Sequence, residues 1–233
     1  AAGLDMGTAA EQLLNGMYTS FLLLAIPLFV LAAEFMNAGS IMDRLLRFCN
    51  AIVGRFRGGL AQVNVVQSIV FASMSGSALA DAAGSGKLMQ TMMTKDGKYP
   101  PAYAAALTTV SSVIGPILPP SIPLVLYALV SDASVGFLFL AGVVPALILT
   151  LCNLGAAYYV ARKRGYATRG KFPGWGAVAL AFAASLPGLL VAVIILVGIL
   201  SGAFTATESA ATAVARALLI TVFVYRSLSW HNF

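Results

Sequence analysis

Four long apolar runs constrain the fold of this chain more than any other feature. A transmembrane helix needs about 20 predominantly apolar residues, and runs of that kind occur at 17–36, 135–161, 177–200 and 205–225. Charged residues make up only 9% of the 233 residues, whereas a soluble domain normally carries about 25%. The polar surface is too small to cover a water-exposed globule, so the sequence predicts an all-α integral membrane protein.

The basic residues predict how the helices are oriented. Lys and Arg accumulate on the cytoplasmic side of membrane proteins, and acidic residues such as Asp132 and Glu208 mark the opposite ends of the segments. We therefore expect a periplasmic N-terminus, a first helix that runs inward and an amphipathic helix along the cytoplasmic interface at 42–59. The cytoplasmic positions are Arg44, Arg47, Arg55, Arg57, Lys95, Lys98, Arg162, Lys163, Arg164, Arg169, Lys171 and Arg226.

Residues 60–95 are predicted to form a re-entrant helical hairpin. Basic residues flank this segment on both sides, so both of its ends should be cytoplasmic. Its two halves have about 15 residues each, which gives about 22 Å of helix, and this is too short to cross a bilayer. Two ordinary packed helices with a polar loop at the outer face remain an alternative, although they would place basic residues on both faces.

The next segment, 100–131, is predicted to be a helix broken at its centre. Pro116, Pro119 and Pro120 remove amide donors and release carbonyls, and non-helical backbone at membrane depth survives only inside protein or beside a wet cavity. Released carbonyls and serine hydroxyls suit a desolvated alkali cation, whereas helix N-termini suit an anionic group. Interrupted membrane segments of this kind indicate the binding site of a secondary transporter. We expect the hairpin tip and the break to meet near the midplane.

Several sequence strings carry a resemblance to a known family. The strings "MSGSALAD", "IGPILPPSIP", "FLAGVVPA" and "SGAFTATESAATA" resemble the large membrane subunit of tripartite ATP-independent periplasmic (TRAP) transporters. The resemblance implies an elevator-type, sodium-driven transporter in the bacterial inner membrane, built from two inverted repeats. A second Pro-Pro break is absent from the sequence, so the chain resembles the N-terminal half of that subunit and is expected to be a fragment.

The resemblance also implies partners, domains and site residues. The partners would be a small four-helix membrane subunit, a periplasmic substrate-binding protein, the remaining half of the large subunit and membrane lipid. The transported solute would be a carboxylate. Residues 1–58 would form a scaffold-type transmembrane helix and a cytoplasmic arm helix. Residues 59–162 would form a transport-type region that contains the hairpin (60–95), the broken helix (100–131) and a return helix (135–161). Residues 163–233 would form a cytoplasmic loop and two further transmembrane helices. The expected substrate residues are Ser77, Ala78, Pro119, Pro120 and Ser121. The expected sodium residues are Ser75, Gly76, Ser77, Asp81, Thr108, Ser112, Gly115 and Pro119, with Ser111 as a further hydroxyl.

Three positions depart from the family pattern. Lys87 lies in the second hairpin arm, where it should reach the interface or pair with Asp81. Arg216 lies within an apolar helix and faces another subunit or water, or else that helix is partly interfacial. Ala206 replaces the usual proline, which should loosen the helix start without abolishing it.

Other function classes are weighed against the same residues. A binding-protein-independent sodium/dicarboxylate symporter or a related antiporter would keep the site and change the partners. An enzyme is not expected, because the predicted membrane segments offer no His, no thiol pair and only isolated carboxylates. No cofactor beyond the coupling ion and no nucleic-acid partner are expected.

Overall fold

The architecture is all-α and membrane-spanning, as predicted. The computed structural model describes Gly7, Glu11 and residues 21–38, 41–166 and 173–224. Within these ranges the secondary structure is helical, with no β-strand. Three helices are long and apolar enough to cross a membrane: Val135–Lys163, Trp175–Leu200 and Ala206–Phe223. Predictions that concern residues 17–20, 167–172 and 225–233 lie outside the described residues.

Ten α-helices follow one another along the described chain. They are α1 (Ala25–Ala38, preceded by the 3-10 turn Phe21–Leu24), α2 (Ile41–Val53), α3 (Gly59–Ser75), α4 (Ala78–Ala83), α5 (Ser85–Thr94), α6 (Pro101–Ser112), α7 (Ile122–Ser131), α8 (Val135–Lys163), α9 (Trp175–Leu200) and α10 (Ala206–Leu219, followed by the π-helical turn Ile220–Val224).

The predicted arm helix is shorter than expected. Helix α2 lies at 74° to α1 and buries Ile41, Leu45 and Cys49 on one face, so it is amphipathic. It ends at Val53 rather than continuing to residue 59. The chain turns directly after Val53, where the Phe56 amide donates to the Val53 carbonyl at 3.1 Å. Gly58, with a left-handed φ of 70° that glycine tolerates, then leads into α3.

The hairpin forms, but its second arm is divided. Helix α3 packs against α5 and α6, and α4 and α5 are separated at Gly84, whose φ of −84° and ψ of −93° lie outside the helical region. One continuous second helix was the prediction, and this detail was wrong. Glycine has no Cβ to restrict its backbone, so it is the residue in "AAGSG" at which the arm can turn.

The broken helix is confirmed as two helices with non-helical backbone between them. Helix α6 ends at Ser112 and α7 begins at Ile122, so residues 113–121 form the interruption, called the break below. The Pro119–Pro120 peptide bond within it is cis. Ser121 caps α7 by accepting a hydrogen bond from the Leu124 amide at 3.3 Å.

Helix α10 packs in parallel against α1. The Thr207 hydroxyl donates to the Phe21 carbonyl at 3.0 Å, and the Thr221 hydroxyl donates to the Phe35 carbonyl at 3.4 Å. In both pairs the two residues are 186 positions apart in the sequence, so the two helices run side by side in the same direction. The α10 start is well formed without its usual proline, because the Thr205 amide donates to Glu208 Oε2 at 2.8 Å as part of a capping box.

Candidate binding site

The hairpin tip and the break contact each other directly, as predicted. The Ile122 amide at the start of α7 donates to the Gly76 carbonyl at 3.3 Å. Gly76 has a left-handed φ of 60°, and a Cβ at this position would collide with the Pro120 carbonyl oxygen. Only glycine therefore combines this conformation with this approach.

A second glycine allows the break to approach the tip from its other end. A Cβ on Gly115 would lie 3.1 Å from the Ser77 carbonyl carbon and 3.2 Å from the Ala78 amide nitrogen. Residues 76–78 are thus held between Gly115 and Pro120. Helix α8 packs against the break at Gly142, where the missing Cβ leaves room for the Ile117 carbonyl oxygen.

Two helix N-termini begin where the tip meets the break. The Ser77 hydroxyl accepts from the Ala80 amide at 3.3 Å and caps α4, as Ser121 caps α7. The Ser121 hydroxyl also donates to the Pro116 carbonyl at 2.5 Å, so one of the carbonyls that proline releases is taken up within the chain. In the first turn of α7 the Ile122 amide donates to Gly76, the Leu124 amide donates to Ser121, and Pro123 has no amide. This helix therefore offers an anion the positive end of its dipole rather than a free amide.

Backbone carbonyls near the tip provide partial negative charge, which is opposite to the partial positive charge of the helix N-termini. The last carbonyls of a helix lack intrahelical partners, and at the end of α3 the Gly76 amide satisfies only the Ala72 carbonyl, at 3.1 Å. Pro119 has no amide to donate to the Gly115 carbonyl. The Ser112 carbonyl, in contrast, accepts from the Gly115 amide at 3.0 Å. Carbonyls at a helix C-terminus and in an unwound segment are the groups that coordinate sodium in broken-helix transporters.

A buried hydroxyl and amide network joins α3 to α6. Asn64 Nδ2 donates to Thr108 Oγ1 at 2.8 Å, and the Ser68 hydroxyl donates to Ser111 Oγ at 3.0 Å. The Ser111 hydroxyl lies 3.4 Å from Asn64 Oδ1, and all four residues are buried. The sequence interpretation included Thr108 and Ser111 but missed Asn64 and Ser68. Their spacing of four, which places both on one face of a helix predicted to lie in the membrane, was the signal that could have identified them.

Asp81 is the one carboxylate that is fully buried among the described residues. Its Oδ1 accepts from the Ser85 hydroxyl, and its Oδ2 has no hydrogen-bond partner in the described part of the chain. An unsatisfied buried carboxylate oxygen is rare in proteins, and an ordered water or an ion is the usual partner of such a group. The absent Cβ of Gly86 lets the Thr108 methyl group approach the Asp81 turn, so Asp81 adjoins the buried network.

Other predicted residues have more local contacts. Lys87 is exposed and is not paired with Asp81. Of the two predicted alternatives, extension of its side chain toward the membrane interface therefore remains. The Ser112 hydroxyl donates to the Thr109 carbonyl at 2.9 Å, and Ser75 Oγ lies 3.5 Å from the Ser77 amide. Hydroxyls bonded to nearby backbone are common in membrane helices, and the binding roles of these residues stay predictions.

Comparison with known proteins yields a consistent group of relatives. The family model for the tripartite ATP-independent periplasmic transporter, DctM component, matches residues 2–233. The sialic acid TRAP transporter large permease protein SiaM of Vibrio cholerae is 43% identical over 97% of this chain and 52% of its own length. The C4-dicarboxylate TRAP transporter large permease protein DctM of Pseudomonas aeruginosa is 42% identical over 89% of this chain and 48% of its own length.

A third relative extends the same pattern. The sialic acid TRAP transporter permease protein SiaT of Haemophilus influenzae is 37% identical over 96% of this chain and 36% of its own length. The chain thus spans about half or less of the length of these relatives. Their names are those of transporter permeases and not of enzymes, as the sequence led us to expect.

Proposed function

Because the chain belongs to the family of the DctM component of tripartite ATP-independent periplasmic transporters, we propose that it is a membrane-embedded part of a sodium-coupled importer of carboxylates. A periplasmic binding protein would deliver the solute, and a small membrane subunit and the remaining half of the large subunit would complete the transporter. The family match favours this arrangement over a binding-protein-independent symporter. Sialic acid and C4-dicarboxylates, for which the relatives are named, are both carboxylates, which supports this class of solute.

The sodium part of the proposal depends on Asp81. Its Oδ2 is buried without a partner among the described residues, and a sodium ion would satisfy that oxygen and the carbonyls near the tip. We assign the ion to the region around the hairpin tip and the network, in which Asp81 provides the negative charge. The other proposed contributors are Ser75, Gly76, Ser77, Thr108, Ser112, Gly115 and Pro119.

The substrate part depends on the two N-termini at the junction of tip and break. The N-termini of α4 and α7 carry partial positive charge through the helix dipole, and Gly76 and Gly115 allow the tip to lie against the break. We assign the solute carboxylate to Ser77, Ala78, Pro119, Pro120 and Ser121. Opposite polarity on the two sides of one junction would let ion and solute bind together, which is the physical basis of symport.

Sodium binding is tested with an Asp81→Asn variant of the complete transporter. A ligand that binds the folded state stabilises it by about 2.7 kcal/mol at 100 times its Kd. Replacing KCl with NaCl should therefore raise the melting temperature of the wild type but not of Asp81→Asn, and the variant should lose sodium-dependent uptake. The control is Asp43→Asn, which removes an exposed carboxylate on α2 and should behave as wild type. Equal sodium stabilisation in all three proteins would contradict the assignment.

The re-entrant position of the hairpin has a separate test. The tight turn at Gly97 is exposed at the end of the hairpin, and the distribution of basic residues leads us to expect it in the cytoplasm. A single cysteine at Gly97 should react with an impermeant maleimide only in inside-out vesicles. Reaction in right-side-out vesicles would show that residues 60–95 do not return to the side from which they enter.

A further inference from the structure

Ser68 contacts both the second hairpin arm and the broken helix. It lies on α3, the first arm, and is only 2% exposed. Its hydroxyl donates to Ser111 Oγ on α6 at 3.0 Å, and it also lies beside the Asp81 carboxyl on α4. Ser68 therefore connects the one fully buried carboxylate of the described residues to the first half of the broken helix.

The hydroxyl protons around Ser68 are directed away from Asp81 Oδ2. A serine hydroxyl has one proton and two lone pairs, and the Ser68 proton goes to Ser111. The Ser111 hydroxyl has its own acceptor in the Thr108 carbonyl at 3.1 Å. Ser85 donates to Asp81 Oδ1, whereas Oδ2 has no partner in the described part of the chain. Ser68 thus presents lone pairs to Asp81.

A cation is the partner that suits two such oxygens. A carboxylate oxygen and a hydroxyl lone pair repel each other when no proton lies between them, and the low dielectric of a buried site strengthens this repulsion. A cation that binds to both oxygens replaces the repulsion with attraction and satisfies Oδ2. Carboxylate and hydroxyl oxygens are hard ligands, and Asp81 supplies a single negative charge, which matches a monovalent ion.

We propose that Ser68 Oγ is a ligand of the cation that binds to Asp81, and that the Ser68 hydroxyl transmits the presence of this ion to α6. With the ion bound, the Ser68 proton must point to Ser111, which ties α3 to the broken helix. Without the ion, the same proton can turn to Asp81 Oδ2, and the bond to α6 is lost. The inference rests on the proposed function, because it names the residues through which the proposed sodium ion would act.

Sodium binding to the purified complete transporter, in detergent and without solute, tests the ligand role. The rise in melting temperature is measured against NaCl concentration, with KCl keeping the ionic strength constant, and gives a Kd for sodium. Ser68→Ala should raise this Kd about tenfold, the equivalent of about 1.4 kcal/mol, because one ligand is lost. The matched control is Ser185→Ala, which removes an equally buried hydroxyl that bonds to the Phe182 carbonyl of its own helix and should leave the Kd unchanged.

The outcomes separate this inference from the proposed function. Sodium stabilisation that is lost in Asp81→Asn but unchanged in Ser68→Ala would overturn the role of Ser68 alone. Equal stability of the wild type in NaCl and KCl would overturn both, and an ordered water would then be the partner of Oδ2.

A cysteine at position 68 tests its proximity to Asp81 with a second ion. Thiolates select soft metals, so Ser68→Cys should lose sodium stabilisation and gain stabilisation by cadmium chloride. The gain should vanish in Ser68→Cys/Asp81→Asn, because the carboxylate is the second ligand. The wild type, which contains Cys49 and Cys152, and Ser185→Cys give the background. Cadmium stabilisation that is absent or independent of Asp81 would overturn the shared site, also where Ser68→Ala does not accumulate.

Hydrogen exchange tests the transmission to α6. Sodium, compared with potassium, should slow amide exchange in α6 of the wild type. In Ser111→Ala sodium should still bind but should no longer slow exchange there, because the acceptor of the Ser68 proton is gone. Sodium-dependent protection of α6 that persists in Ser111→Ala would refute transmission through this hydrogen bond.

Discussion

Replacing Gly76 with alanine should separate the hairpin tip from the break. The new Cβ would meet the Pro120 carbonyl oxygen and lie 3.1 Å from the Ile122 amide nitrogen. That amide donates the 3.3 Å hydrogen bond that joins the tip to α7. The contact on which the proposed site depends would therefore be lost together with the space for it.

The cost can be divided into three parts. A left-handed conformation costs a residue with a Cβ about 1–2 kcal/mol, overpacking costs about 1–3 kcal/mol, and loss of the Ile122 to Gly76 hydrogen bond costs about 1 kcal/mol. Gly97 provides a matched control, because its φ of 65° is also left-handed but a Cβ would meet nothing within 4 Å. Gly97→Ala should therefore incur only the cost of the left-handed conformation. The further cost of Gly76→Ala, about 2–4 kcal/mol, comes from the contact between tip and break.

Thermal unfolding and uptake measure this difference. In a chain of this size, 1 kcal/mol corresponds to about 2–4 °C in Tm, so the Tm of Gly76→Ala should lie at least about 4 °C below that of Gly97→Ala. Uptake by the complete transporter should be abolished in the first variant and preserved in the second. Equal melting temperatures, together with equal uptake, would refute the view that the tip is held against the break at Gly76.

Two further glycines and one cap give predictions of the same kind. Gly142→Ala should destabilise the protein by about 1–3 kcal/mol, because the new Cβ would collide with the Ile117 carbonyl oxygen. In Gly155→Ala, in the same helix, the Cβ meets nothing within 4 Å, so this variant should be more stable by up to about 1 kcal/mol. Denaturation midpoints that move in the same direction for both variants would contradict this reasoning. Thr205→Ala should cost about 0.5–2 kcal/mol, because it removes the hydroxyl that accepts from the Glu208 amide at 3.3 Å, and faster hydrogen exchange should be confined to the first turn of α10.

The helices and the two interruptions, at the hairpin tip and at the break, could be predicted because each depends on a local signal. Apolar length identified α8 and α9, and the prolines at 116, 119 and 120 identified the break, since proline disrupts a helix regardless of its surroundings. The division of the second hairpin arm at Gly84 could not be predicted in this way. Glycine permits a turn but does not require one, so the outcome depends on packing against α3 and α6.

The network around Asp81 shows why the site itself was only partly predictable. Sequence reasoning identified hydroxyls close to the break, such as Ser112, because proline and serine coincide there. In the structure that hydroxyl is bonded to the Thr109 carbonyl, while Asn64 and Ser68 approach Thr108 and Ser111 from α3, more than 40 residues away in the chain. Local sequence signals thus identified the tip and the break separately, whereas the buried polar groups beside them depend on helix pairing. A search of sequence for further members of this site should therefore begin with polar residues spaced by four on apolar helices, rather than with residues adjacent to a helix break.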